Sequence, residues 1–379
     1  MDKFGNLHAE SEVQTANYEA EREISELSKK GYQLLKENRV AEAAECFLSI
    51  LEREPENNYA LVGMGDTRRK QHQYKTAISY YITCLEHHPG NNYALFGLAD
   101  CHKALKQYNQ AISIWEKYLL YDNANITVLT RVADAYRKVR DYIKSEEIYK
   151  RVLEMEENNA YALIGLGHLY YDFREYSAAL TCWEKILNVT REHVDIRVLT
   201  SLGNCHRKLK TFEKGLSYFE MAYRAQPDNF YALFGLADCY RGLNRQEESL
   251  KFWGKILETD PGNKLILTRI GDAYRTMEEY EEAESFYQKA LNIKMDIYAV
   301  LGLALINKAK GNYAEAIASL KGLLKSDPKN HRLYYEIAEC YEKMGNIPSA
   351  IGALTDFQKL GMRDVQINQY LEELRHGRN

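Results

Sequence analysis

Apolar and small residues return along this chain with a helical spacing, and the helices they predict come in pairs. Positions are counted within each unit from the start of its first helix. Apolar or small residues then fall at positions 4, 7, 8 and 11, as Leu61, Met64 and Gly65 in one unit and Leu129, Val132, Ala133 and Tyr136 in another. This i, i+3, i+4, i+7 rhythm marks one face of a helix. A second stripe stands at positions 20, 24 and 27: Ala77, Tyr81 and Cys84, then Ala111, Trp115 and Tyr118, then Ala179, Trp183 and Ile186. Each unit is therefore two amphipathic helices joined by a short turn.

The punctuation follows the same ruler. Pro55, Pro89, Pro227, Pro261 and Pro328 stand at position 32, where a fixed φ and a missing N–H stop the second helix. Asn57, Asn91, Asn125, Asn159, Asn229, Asn263 and Asn330 stand at position 34, and Asp195 and Asp364 fill that slot elsewhere. A side-chain oxygen there caps the orphan N–H groups of the next helix. Loops this short bring neighbouring helices together antiparallel.

The ruler is 34 residues long, and it is laid down ten times, from Ile24, Asn58, Asn92, Ile126, Ala160, Ile196, Phe230, Lys264, Ile297 and His331. The segment from Tyr93 to Cys101 reads the same as that from Tyr231 to Cys239. A period of this size marks a solenoid, a propeller or an array. The 379 residues then make one core that grows by addition, not the two or three domains that length alone suggests. Residues 1–23 are expected to be a leader, partly disordered or a short capping helix, and residues 365–379 a helix and tail that close the stack. The unit from Ala160 carries two extra residues around Arg191–Val194, and the unit from Lys264 is one short near Met295.

Leu61, Met64-Gly65, Ala77, Tyr81 and Pro89, repeated as Leu163, Leu166-Gly167, Tyr170, Ala179 and Trp183, resemble the signature of the tetratricopeptide repeat. The resemblance covers residues 24–364 in register. It implies an all-α fold, a right-handed superhelical solenoid of antiparallel helix pairs, with both slips absorbed in turns between repeats. It also implies that the first helices line a concave groove.

A longer period overlies the first. The three tryptophans, Trp115, Trp183 and Trp253, occupy position 24 of alternate units. First helices with Tyr-Ala-Leu-x-Gly (Tyr59, Tyr93, Tyr161, Tyr231) alternate with Leu-Thr helices that continue as Arg131, Ser201 and Arg269. The pairing is either an inherited duplication or a surface that presents two kinds of site in turn.

Composition narrows the function classes. Lys and Arg number 50 against 54 Asp and Glu, for a net charge of −4, so no strong field favours nucleic acid or an anionic membrane. No apolar run is long enough to cross a membrane, and the start of the chain lacks the apolar stretch of a secretory signal. Seven cysteines form no CxxC pair, and Cys101, Cys205, Cys239 and Cys340 share one repeat slot. They read as buried packing residues in a reducing, cytoplasmic setting. His102 and His206, at position 11, read as packing residues too.

Positions 2, 5, 9 and 12 form a stripe turned away from the core, and in the resembled family that stripe faces the groove. Position 2 gives Tyr93, Tyr161 and Tyr231, with Tyr59 and Tyr298; position 5 gives Phe96 and Phe234. Position 9 gives Asp100, Asp134, Asn204, Asp238 and Asp272, and position 12 gives Lys103, Arg137, Arg207, Arg241 and Arg275. Arg131 and Arg269 stand beside them at position 6. Two readings apply: a series of i, i+3 ion pairs that solvates a helix face, each worth about 0.2–0.5 kcal/mol, or fixed donors and acceptors for a bound peptide, with tyrosines supplying contact area. The recurrence by type favours the second. Glycines at position 6, among them Gly97 and Gly235, favour close packing of helices over ligand approach.

The carboxylate clamp of tetratricopeptide co-chaperones needs lysine at position 5, which never occurs here, so that mode does not fit. No phosphate-binding loop, zinc-protease motif or nucleophile elbow is present, and no cofactor or metal is called for. The expectation is a non-catalytic scaffold that binds a protein or peptide through its central units, from Asn92 to Met295, without nucleic acid or membrane insertion. A substrate-positioning subunit of a separate enzyme and a self-assembling spacer are the alternatives; oligomeric state stays open.

Overall fold

The computed structural model describes residues 21–189 and 195–376. Its regular elements are all α-helices among the described residues, and they divide into two compact units, Met1–His193 and Val194–Asn379. Most of the expected leader, and the extra residues around 191–194, lie outside the described residues.

The first unit holds α1 (21–36), α2 (Val40–Arg53), α3 (Asn58–Lys70), α4 (Tyr74–His87), α5 (Asn92–Ala104), α6 (Tyr108–Leu119), α7 (Ile126–Lys138), α8 (Tyr142–Met155), α9 (Ala160–Asp172) and α10 (Tyr176–Val189). In the second unit come α11 (Ile196–Lys208), α12 (Phe212–Ala225), α13 (Phe230–Gly242), α14 (Gln246–Thr259), α15 (Lys264–Thr276) and α16 (Tyr280–Ile293). It ends with α17 (Ile297–Ala309), α18 (Tyr313–Leu324), α19 (His331–Lys343), α20 (Ile347–Lys359) and α21 (Val365–His376). From α1 to α20, odd-numbered helices are the first of each pair and even-numbered ones the second.

Capping explains where the first helices start. The side chains of Asn57, Asn91, Asn125, Asn159, Asn229 and Asn263 each accept from a backbone N–H three residues on. Asp195 caps α11, and Asp364 accepts from the Ile367 N–H. Asp296, one residue early in its short unit, caps α17 through the N–H groups of Tyr298 and Ala299. Asn330 departs from the pattern: its side chain makes no cap bond and donates to Asp327 instead. The turn inside each pair is held by one residue in the left-handed region, from Asn38 at φ 64° to Glu278 at φ 64°, with Gly311 and Gly345 in the same slot.

The core is threaded by the aromatic at position 24. Phe47, Tyr81, Trp115, Tyr149, Trp183, Phe219, Trp253 and Tyr287 are all fully or almost fully buried. Six-membered rings and indoles pack differently, and this is the physical content of the longer period. A β-carbon on Gly97 would lie 2.3 Å from Tyr81 Cζ, on Gly165 2.4 Å from Tyr149 Cζ, and on Gly235 2.2 Å from Phe219 Cε1. Tyrosine and phenylalanine thus reach the next first helix and demand glycine at its position 6. Trp115 and Trp253 are followed instead by Arg131 and Arg269. Accordingly α3–α5, α7–α9, α11–α13 and α15–α17 approach closely, while α5–α7 and α13–α15 stand further apart. At the end of the second unit, Ile367, Tyr370 and Leu371 of α21 join Ala338, Leu354 and Phe357 in a core cluster.

Candidate interaction face

Within each unit the first helices present a common face, and its charged residues are tied to the core beneath. Where the core aromatic is tyrosine, its hydroxyl emerges between the position 9 and position 12 side chains of its own unit. Tyr81 donates to Asp66 Oδ1 at 2.8 Å, and Arg69 donates to the same phenol at 3.4 Å and to Asp66 at 2.9 Å. Tyr287 repeats this with Asp272 at 2.8 Å and Arg275 at 3.4 Å. Burial, then the Asp134 charge, pushes the Tyr149 phenol up beside Arg137. Where the core aromatic is Trp115 or Trp253, the buried indole Nε1–H has no partner. Asp100 turns to Arg131 and Arg69 of the neighbouring repeats, and Asp238 to Arg207 of the preceding repeat and Arg241 of its own.

These cross-repeat pairs form ladders. In the first unit Asp100 lies 2.6 Å from Arg131 and 3.6 Å from Arg69, Lys103 lies 3.6 Å from Asp134, and Arg137 joins Asp134 at 2.8 Å to Asp172 at 2.6 Å. In the second unit Arg207 bonds Asn204 at 3.0 Å and Asp238 at 2.6 Å, and Arg241 takes the other oxygen of Asp238 at 2.8 Å. Burial raises the Asp238 carboxyl, but Arg241 and Arg207 outweigh it and hold it below the usual carboxylate range. Asp134 behaves likewise through Arg137. At Asp100 burial wins over Arg131 and Arg69, and the carboxyl is raised.

The charged stripe is therefore largely paired with itself. That differs from a row of free donors and acceptors for a peptide backbone, and the reason is spacing: side chains at positions 9 and 12 of adjacent repeats are within reach of one another. Phe96 and Phe234 are also partly withdrawn, half-buried against the core, with Arg131 over the Phe96 ring at 4.8 Å and Arg207 over Phe234 at 5.9 Å. The tyrosines at position 2 are the opposite. Tyr93 and Tyr161 are each 79% exposed, Tyr231 67% and Tyr298 66%.

Each unit has a cleft on its own first-helix face. One of about 730 Å³ in the first unit is lined by Tyr32, Tyr59 and Tyr93 around Val62 and Asp66. One of about 380 Å³ in the second unit is lined by Arg241, Arg269, Arg275, Arg332, Tyr298 and Leu301, among others. Tyr32, Arg332 and Leu301 escape a reading by residue type, because they depart from the usual residue at their positions. Only their register marks them.

The seven thiols are buried and free. Burial pushes Cys101, Cys205 and Cys239 up to about 12 and Cys84, Cys182 and Cys340 up to about 11, so they stay protonated and inert. His206 stacks on Tyr218 and its Nδ1 lies 2.9 Å from the Thr211 hydroxyl; His102 Nδ1 lies 2.7 Å from Gln107. Among the described residues no group of three His, Cys, Asp or Glu side chains is placed to hold a metal ion, and no helix is long and apolar enough to cross a membrane.

Paired antiparallel helices, stacked with a common face of first helices, define a helical-repeat protein. Three models described as tetratricopeptide repeat match the chain, over residues 68–130 and 308–357, over 126–159 and 266–295, and over 200–264. The chain belongs to the tetratricopeptide repeat family. Among solved structures, a tetratricopeptide repeat protein from Parabacteroides merdae shares 15% identity over 69% of this chain and 99% of its own, with a TM-score of 0.53. PilF of Pseudomonas aeruginosa shares 15% identity over 56% of this chain and 96% of its own, TM-score 0.48. YrrB, described as having an unusual peptide-binding site, shares 22% over 49% of this chain and 95% of its own, TM-score 0.43. No curated protein matches by sequence. Tetratricopeptide proteins mediate protein–protein interactions and are typically non-catalytic, so the chain is an interaction scaffold in that general sense.

Proposed function

We propose that the chain is a non-catalytic scaffold that binds an extended segment of a partner protein along the first-helix face of each unit. The observation that carries this reading is the row of tyrosines at position 2, Tyr93 and Tyr161 in one unit and Tyr231 and Tyr298 in the other, each more than three-fifths exposed. Rigid rings with a polar tip give a partner large contact area at low entropic cost. The ion-pair ladders beneath hold the face in one arrangement before anything binds, which lowers the cost of binding. The seven free cysteines fit a reducing compartment such as the cytoplasm.

Because Asp134, Arg137, Asp272 and Arg275 are tied to buried tyrosines, the tyrosines at position 2 are the better residues to change. A phage-displayed library of random peptides about twelve residues long, fused through their C-termini and panned on the full chain, supplies the probe. Recovered peptides should bind at least about tenfold more weakly to the Tyr93→Ala/Tyr161→Ala chain or to the Tyr231→Ala/Tyr298→Ala chain, with helical melting unchanged. They should also crosslink to benzoylphenylalanine placed at Tyr161 or Tyr231, and not when it replaces the exposed Ile143 on a second helix. Binding that survives in both double variants overturns the proposal, and so does a library that yields no binder.

A further inference from the structure

Arg131 and Arg269 occupy equivalent positions in nearly identical surroundings, yet their electrostatic fates differ. Arg131 is paired with Asp100 at 2.6 Å. The equivalent carboxylate for Arg269 is Asp238, and both of its oxygens are already taken, by Arg207 at 2.6 Å and Arg241 at 2.8 Å. The cause is legible at position 12 of the middle repeat. In the first unit that residue is Lys103, which reaches on to Asp134 and leaves Asp100 for Arg131. In the second it is Arg241, whose fork turns back onto Asp238. Arg269 is left with no hydrogen-bond or ion-pair partner among the described residues, and its Nε is sealed from solvent.

The neighbours of Arg269 deepen the imbalance. Arg275 holds Asp272 only at 3.9 Å and Arg332 holds Glu336 only at 3.7 Å. Together with Arg241 and Arg269 they line the cleft of about 380 Å³, in which Asp272 is the one acidic lining residue. Exposed Tyr298 and the side chain of Leu301 form its apolar part. Guanidinium groups bind carboxylates through paired N–H donors, and such charge-assisted bonds are about twice as strong as neutral ones. The four cations come from three first helices, α13, α15 and α19, so they are spread along the direction in which a segment would lie. A single terminal carboxylate engages one of them; successive acidic side chains engage several.

We propose that this cleft reads acidic side chains, making the second unit selective for a partner segment rich in aspartate and glutamate next to an apolar residue. The inference rests on the first-helix face being a peptide-binding face. Unpaired Arg269 is the centre of the site, and the tight junctions with glycine at position 6 have no counterpart to it.

The same displayed library separates the two readings. Peptides recovered on the wild-type chain that compete for the second unit should be enriched in Asp and Glu, and the enrichment should vanish on the Arg269→Gln chain. It should persist on Arg131→Gln, the equivalent change in the first unit. For a recovered sequence made as an amidated peptide, replacing its acidic residues by Asn and Gln should weaken binding at least about tenfold in fluorescence anisotropy, and Arg269→Lys should restore part of what Arg269→Gln loses. A recovered pool without acidic enrichment, or one equally enriched on Arg269→Gln, overturns this inference and leaves the peptide-binding face intact. Loss of all recovered binders overturns both. Tighter binding of a phosphoserine or free-carboxylate version than of the amidated acidic peptide assigns the cleft to that anion and overturns the assignment to acidic side chains.

Discussion

Tyr287 and Gly302 are matched across a repeat junction: the ring fills the space a β-carbon on Gly302 would need, with Cζ 2.2 Å from that position. Gly302→Ala forces either the buried ring or helix α17 to move. Overpacking of this kind costs about 1–3 kcal/mol. The cost should shrink in the Tyr287→Leu background, because Leu320 in the next unit is followed by Glu336 at the same position without a glycine. A double-mutant cycle by urea denaturation reads the coupling; strictly additive losses would refute the match.

The hydroxyl of a tyrosine in this core slot has a separate role, seen at Tyr81. Phe47 and Phe219 fill the same core slot in other units, so Tyr81→Phe keeps the packing and removes only the hydroxyl that Asp66 accepts from at 2.8 Å. Arg69 remains on Asp66, so the acid is not orphaned. The expected loss is about 1.5–3 kcal/mol, the range for a hydrogen bond to a charged group. A shift of the urea midpoint for Tyr81→Phe no larger than for a surface change such as Lys75→Ala would show that the hydroxyl contributes nothing.

These two relationships show what the sequence made legible. The helix pairs, their caps and the buried face follow from local chemistry: apolar spacing of 3 and 4, proline after the second helix, asparagine before the first. The longer period was also visible, in Trp115, Trp183 and Trp253, but not its cause. That cause is a contact between position 24 of one unit and position 6 of the next, and sequence spacing does not report which way a ring points. The candidate face was visible as a stripe, yet its pairing was not. Asp100, Asp238, Lys103 and Arg241 have the same charges in both units, and only geometry decides which acid each base takes.

The turn inside each pair escaped a reading by residue type as well, because eight different units fill its left-handed slot with Asn, His, Lys, Arg or Glu. Gly311 occupies it at φ 83°, and a β-carbon there would meet nothing within 4 Å, so Gly311→Ala tests the backbone alone. A left-handed residue with a β-carbon costs about 1–2 kcal/mol, offset in part by the lower entropy of the unfolded alanine chain. The expected net loss is about 1 kcal/mol. The reverse change at exposed Arg174, φ 68°, should be neutral or gain a few tenths of a kcal/mol. Thermal midpoints that fall equally for Gly311→Ala and Arg174→Gly would contradict this account.

His168 gives the first unit a pH dependence whose sign can be worked out. It sits at position 9, with its ring 5.3 Å from that of Trp183, and burial followed by the Arg137 charge lowers its pKa below the ordinary 6.5. The folded imidazole stays neutral where the unfolded one has begun to protonate, so below about pH 6.5 the unfolded chain binds more protons. The stabilising contribution is complete above that pH and is lost as pH falls through the lower folded pKa. His168→Asn should remove this dependence, and Asn204 shows that asparagine fits the equivalent slot beside an arginine. Urea midpoints at pH 7.5, 6.5 and 5.5 make the comparison. The wild-type chain should lose more stability than His168→Asn between the upper and lower values, and two parallel profiles would remove His168 as the cause.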